Sequence, residues 1–174
     1  MAFVDLAHAR YSVRKFKDKP IEREKLERIL TAGQAAPTAC NNQPQRILVV
    51  ENAEAHEKIK KCTPFHFGAP IVLVICYDKS ESWKRLKFDG KEFGEQDASI
   101  VASHLMLEAA DLGMGTTWVG YFDPDAVRKE FALPENIVPA VLLPLGYPAD
   151  DAVPNERHAQ RKPLAETVFY NHFA

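Results

Sequence analysis

Residues 97–121 read DASIVASHLMLEAADLGMGTTWVGY. The first sixteen are apolar almost all round, with Ile100, Val101, Leu105, Met106, Leu107, Ala109 and Ala110. A helix without a polar face is covered on most sides, within a core or at a subunit interface. Gly113 stands where the end of such a helix needs a residue at ease with positive φ. Residues 116–121 have the β-branched and aromatic content of a strand. This stretch therefore sets the frame, a mixture of helix and strand around one core.

Working outward, residues 70–77 are apolar on both faces and predict a buried strand. Asp123 caps a short helix with Pro124 at its first position, running to about residue 132. Residues 138–145 give the last core strand. Upstream, residues 46–50 predict a strand and 53–61 a polar helix. In residues 22–35, Leu26, Ile29, Leu30 and Gly33 fall on one helical stripe. A short helix is expected at residues 2–9. Residues 78–95 are polar with isolated Trp83, Phe88 and Phe93, and are expected to form a mobile excursion. The tail from Gly146 is rich in Pro and charge, then turns apolar at Val168, Phe169, Tyr170 and Phe173, which calls for a docking surface.

The chain has 174 residues with 46% hydrophobic and 26% charged, which suits one globular domain spanning 1–174. A net charge of -2 argues against duplex nucleic acid as partner. Cys40, Cys62 and Cys76 are scattered and odd in number, so no disulfide framework is expected, and no ligand spacing for a metal occurs. The N-terminus lacks the apolar core of a signal peptide, and no apolar run reaches the ~20 residues of a bilayer span. A soluble, cytoplasmic protein is expected. No G-x-G-x-x-G, P-loop or G-x-S-x-G occurs, which removes the usual dinucleotide-fold and serine-hydrolase signatures.

Four segments carry chemistry. In Arg10-Tyr11-Ser12-Val13-Arg14, extended backbone would aim residues 10, 12 and 14 to one side. Two guanidiniums and a hydroxyl match a phosphate monoester, although the run of Lys15, Lys17 and Lys19 also reads as a solvated basic patch. Ala36-Pro37-Thr38-Ala39-Cys40-Asn41-Asn42-Gln43-Pro44 is dense in short polar groups that can match the edge of a flavin pyrimidine, or form a plain turn. The glycines bracketing residues 115–120 allow a flat ligand close to the backbone, or frame a core strand with Trp118 inside. Arg157-His158-Ala159-Gln160-Arg161 could complete an anion site begun at Arg10, or be a solvated linker.

Taken together, these segments resemble the FMN-dependent nitroreductase family. The matches are Arg10-x-Ser12-Val13-Arg14-x-Phe16, Ala36-Pro37-Thr38-Ala39-x-Asn41-x-Gln43-Pro44, Leu112-Gly113-x-Gly115-Thr116-x-Trp118-x-Gly120 and Arg161-Lys162-Pro163-Leu164, in the family's order. Tyr11 and Gln45 stand where the family often has a basic and an aromatic residue, and the chain is short for the family.

The resemblance implies an α+β fold, a mostly antiparallel central sheet flanked by helices, in an intertwined homodimer. It implies FMN at the subunit interface, with NADH or NADPH as co-substrate. Arg10 and Ser12 would hold the FMN phosphate with Arg161 beside them, Tyr11 would also contact the cofactor, and Arg14 would lie near the phosphate or ribityl chain or at the flavin N1–C2 edge. Pro37, Thr38, Ala39 and Asn41 would come from the second subunit, while Trp118, Val119 and Gly120 would back the ring near N5. The expected activity is ping-pong reduction of nitroaromatics, quinones or activated alkenes, with hydride passing through N5 and no catalytic side chain. Residues 78–95 would form a substrate lid, and 147–174 would dock on the partner. A flavin-binding sensor or storage protein, or a flavoenzyme of the same fold performing reductive dehalogenation or flavin breakdown, are the alternatives.

Overall fold

The computed structural model describes residues 2–173. Its helices are α1 (Phe3–Ala9), α2 (Arg23–Gln34), α3 (Ala53–Cys62), α4 (Gly94–Asp111) and α5 (Pro124–Glu130). Its strands are β1 (Gln45–Val50), β2 (Ile71–Asp78), β3 (Gly115–Thr116) and β4 (Ile137–Gly146). The strands form one sheet in the order β1-β2-β4-β3, with every named pairing antiparallel. The fold is α+β, as the resemblance implied.

Alternation along the central strands assigns their side chains to two layers. Ile71, Leu73 and Ile75 of β2, with Val141, Leu143 and Leu145 of β4, meet Leu26 and Ile29 of α2 and Val101 and Leu105 of α4. Val72, Val74, Cys76 and Leu142 face the other way, onto Ile59 of α3 and Val127 of α5. Burial on both faces explains the unbroken apolar run of β2. The stripe on α2 works as expected, and Gly33 permits the helix crossing: a Cβ there would lie 2.6 Å from Leu105 Cδ2.

Helix α4 ends at the expected glycine. Gly113 sits at φ +74, and the Gly113 and Met114 N–H groups donate to Ala110 O and Ala109 O at 3.0 and 2.8 Å. The chain turns directly into β3. The strand expected over residues 116–121 is split. Thr117 N donates to Pro144 O, but Pro144 has no N–H to return, and regular pairing resumes only where Val119 and Leu142 exchange both bonds.

Residues 78–95 are more ordered than their composition suggests. Asp78 accepts from the Ser80 hydroxyl at 2.5 Å and from Asn136 Nδ2 at 2.8 Å. Trp83 and Phe93 pack edge to face with centroids 5.0 Å apart, and Lys84 bridges to Glu92. The partners lie up to 58 residues away, so local sequence does not reveal them.

Candidate functional site

The site begins where α1 stops. Past Ala9 the chain becomes extended, and Ser12 pairs in parallel with Thr116 of β3. Val13 turns inward and is buried. Its N–H donates to Thr116 O at 3.0 Å, and its carbonyl accepts from the Thr117 hydroxyl. With Val13 fixed, alternation presents Ser12 and Arg14 on the outer side. Gly115 makes this docking possible, since a Cβ there would lie 2.3 Å from Val13 Cγ2.

The tail runs back along the same segment. Lys17 N–H donates to Tyr147 O, Ala149 N–H to Lys15 O, and the Tyr11 hydroxyl to Ala152 O. Asn155 caps a short 3₁₀ turn at Glu156–Ala159, accepting from Arg157 N at 3.0 Å. His158 Nε2 lies 3.0 Å from His8 O, and its ring meets Tyr11 edge-on. The two ends of the described chain thus close a cavity of about 540 Å³ lined by Arg10, Tyr11, Ser12, Arg14, Asn155, Glu156, Arg157, His158 and Arg161.

Electrostatics separates this cluster from an ordinary basic surface. The neighbouring lysines are neutralised: Lys15 pairs with Asp151 at 2.6 Å and Lys17 with Asp150 at 2.5 Å. Among the described residues, Arg10, Arg14, Arg157 and Arg161 have no carboxylate within 4.0 Å. Arg161 is oriented by the carbonyls of His158 and Gln160 at 2.5 and 2.8 Å, and Arg14 by Ser12 O at 3.3 Å. Glu156 also lines the cavity but pairs with none of the four guanidiniums, so they repel one another, and an anion relieves that repulsion. Arg157, His158 and Arg161 reach the cavity from the basic segment that sequence singled out, and Asn155 and Glu156 join them unforeseen.

The other predicted residues lie elsewhere in the single chain. Pro37, Thr38, Ala39 and Asn41 do not line the arginine cavity. Their loop is bound to α4 through Ala39 N–H donating to Asp97 Oδ1 at 2.9 Å. Trp118 is 40% exposed rather than packed inside, while Val119 is buried under the sheet. Gly120 is open, with no atom within 4 Å of where a Cβ would stand. His104 is bonded at 2.9 Å to Ile100 O of its own helix. Burial raises the Cys62 thiol to about 11 and that of Cys76 to about 12, so neither is a nucleophile near neutral pH. No group of three or more metal-ligating side chains is found among the described residues, and no helix is long and apolar enough to cross a membrane.

Two apolar surfaces stay uncovered. A groove of about 640 Å³ runs between α1, α2 and α4, lined by Phe3, Leu6, Ala32, Ile100 and Leu107 among others. In the tail, Leu164, Tyr170 and Phe173 are 77, 81 and 89% exposed.

Known proteins share this fold. The crystal structure of a nitroreductase family protein from Clostridium difficile 630 superposes with a TM-score of 0.93 at 42% identity, covering 99% of this chain and 100% of that one. A Methanothermobacter thermautotrophicus protein, provisionally named NADH dehydrogenase/NAD(P)H nitroreductase, is 32% identical over 158 residues, 87% of this chain and 80% of its own. The FMN reductase [NAD(P)H] of Bacillus subtilis is 27% identical over 177 residues, 92% of this chain and 71% of its own. The Nitroreductase family profile matches residues 7–63 and 60–147. From the Val13 docking strand to the last strand of the sheet, this chain belongs to the nitroreductase family.

Proposed function

We propose that the chain is an FMN-dependent oxidoreductase that uses NADH or NADPH to reduce nitroaromatics, quinones or activated alkenes by a ping-pong mechanism. One observation carries the reading: Arg10, Arg14, Arg157 and Arg161, free of carboxylate partners, share one cavity with the Ser12 hydroxyl. This donor set fits the phosphate of FMN, a dianion that planar guanidiniums engage through paired N–H groups. The FMN reductase activity in the name of the Bacillus subtilis relative supports the same cofactor.

Bound FMN would supply the chemistry, taking hydride at N5 from NAD(P)H and passing it to the second substrate. The protein's part is to hold and to shape. Arg10, Ser12, Arg14 and Arg161 hold the phosphate end, and Arg157 joins them. Tyr11 does not need to touch it: its hydroxyl ties the segment to Ala152 O at 3.2 Å. Trp118, Val119 and Gly120 back the ring near N5, with open space beside Gly120. No side chain is assigned as acid or base.

The site is completed by a second copy in a homodimer. The loop of Pro37, Thr38, Ala39 and Asn41 comes from the partner, and the tail over 147–174 docks on it. The groove between α1, α2 and α4 and the exposed aromatics of the tail are the surfaces such a partner would cover. Residues 78–95 cover the substrate, and the protein works in the cytoplasm.

The test is a spectrum of the purified protein, then anaerobic titration with NADH and with NADPH. Flavin bands that bleach within seconds are expected. A protein that stays colourless after incubation with FMN refutes the cofactor, and flavin that does not bleach refutes the reductase reading.

A further inference from the structure

The loop beside α4 holds three non-glycine residues in left-handed backbone: Cys40 at φ 53, Asn41 at φ 56 and Gln43 at φ 52. Asn tolerates this region, while Cys and Gln adopt it at a cost and only where their surroundings enforce it. Three side-chain contacts do so. Thr38 Oγ1 accepts from Gln43 N at 3.0 Å, Asn42 Nδ2 donates to Glu81 O at 2.9 Å, and Asp97 Oδ1 accepts from Ala39 N at 2.9 Å.

The last contact is the unusual one. Asp97 is 3% exposed, and its Oδ2 is buried with no hydrogen-bond partner among the described residues. A buried carboxylate with a single bond is expensive, even at the positive end of a helix. Its neighbours on α4, Ala98 and Val101, belong to an apolar core. Packing alone gives no reason for an acid there. The same helix presents Ile100 and Leu107 to the uncovered groove, so Asp97 joins the strained loop to the face that a second subunit would cover.

We propose that Asp97 is a positioning residue whose carboxyl group clamps the Ala39 N–H and fixes the loop of Pro37, Thr38, Ala39 and Asn41 in its strained form. The inference rests on the FMN reading above. Asp97→Ala removes the clamp and its charge. Asp97→Asn keeps an acceptor oxygen for Ala39 and removes only the charge.

The experiment uses the full chain, with FMN affinity from fluorescence titration and circular dichroism as a folding check. Loss of a hydrogen bond to a charged group predicts FMN binding about tenfold weaker in Asp97→Ala. Asp97→Asn, which keeps the acceptor oxygen, should stay within roughly threefold of wild type in affinity by the same reasoning. Unchanged affinity in a folded Asp97→Ala variant overturns the clamp. Should that variant not fold, a tenfold loss of affinity in a folded Asp97→Asn, which keeps the acceptor, overturns the clamp on its own. If wild type binds no FMN, the cofactor reading fails first and takes this inference with it.

Discussion

Gly115→Ala tests how the site is built. The added Cβ would meet Val13 Cγ2 at 2.3 Å, Val13 Cβ at 2.7 Å and Val13 Cγ1 at 3.1 Å. Rotation about χ1 can move the two γ carbons but leaves the β carbon where it is. Relief therefore requires the backbone of residues 10–14 to retreat by about 1 Å, toward the 3.5 Å or more of a normal carbon contact. That retreat strains the Val13 N–H bond to Thr116 O, now 3.0 Å. Overpacking costs about 1–3 kcal/mol and a weakened backbone bond about 1 more. A total of about 2–4 kcal/mol lowers the melting temperature by roughly 4–16 °C at this chain length. Arg10, Ser12 and Arg14 move with Val13, so FMN affinity should fall about tenfold or more. Denaturant unfolding and flavin titration measure the two effects. Gly120→Ala is the control, since nothing lies within 4 Å of its new Cβ. It should leave stability within about 0.5 kcal/mol and weaken flavin binding or turnover only. A Gly115→Ala protein with wild-type stability and wild-type flavin affinity would refute the docking argument.

Arg10→Ala should weaken FMN binding about ten- to a hundredfold, the worth of charge-assisted hydrogen bonds, with far-UV circular dichroism unchanged; undiminished flavin occupancy after dialysis would contradict the phosphate assignment. With Cys62 raised to about 11 and Cys76 to about 12 and both buried, neither should be alkylated by iodoacetamide in native protein at pH 8, while unfolded protein takes three labels. Peptide mass mapping reads the result, and a native label on either would count against it. Hydrogen bonds from Ser80 and Asn136, with Arg46 nearby, lower the Asp78 carboxyl from 3.8 to about 2. A depressed carboxyl stabilises above its unfolded value, so the anchor of residues 78–95 should hold at pH 4 and be lost as pH falls toward 2. Trp83 emission in a Trp118→Phe background should report that release, and Asp78→Asn should abolish the transition; emission that is flat in pH would rule the anchor out.

What could be read from sequence had local causes. Leu26, Ile29 and Gly33 recur at helical spacing because α2 buries one face, and the run at 71–77 lacks polar residues because β2 has helices on both sides. Gly113 marks the end of α4 because its backbone needs positive φ there. What escaped had distant causes. The break after Thr116 is set by Pro144, on a strand that no local window connects to it. The order at residues 78–95 comes from Asn136 and from the loop at Asn42. Within the site, Arg10 and Arg161 could be placed by resemblance, but the absence of carboxylate partners depends on Asp150 and Asp151 turning to Lys17 and Lys15. The left-handed Cys40 and Gln43 gave no sign either, since neither residue type favours that backbone.

The anion cavity needs residues 10–14 and residues 155–161 at once. Ribosomes deliver these pieces at different times, the second only after the entire sheet. A nascent polypeptide can therefore fold its core long before it can capture any ligand there. Occupancy of the cavity is thus decided after residue 161 has been made, not while the core is forming.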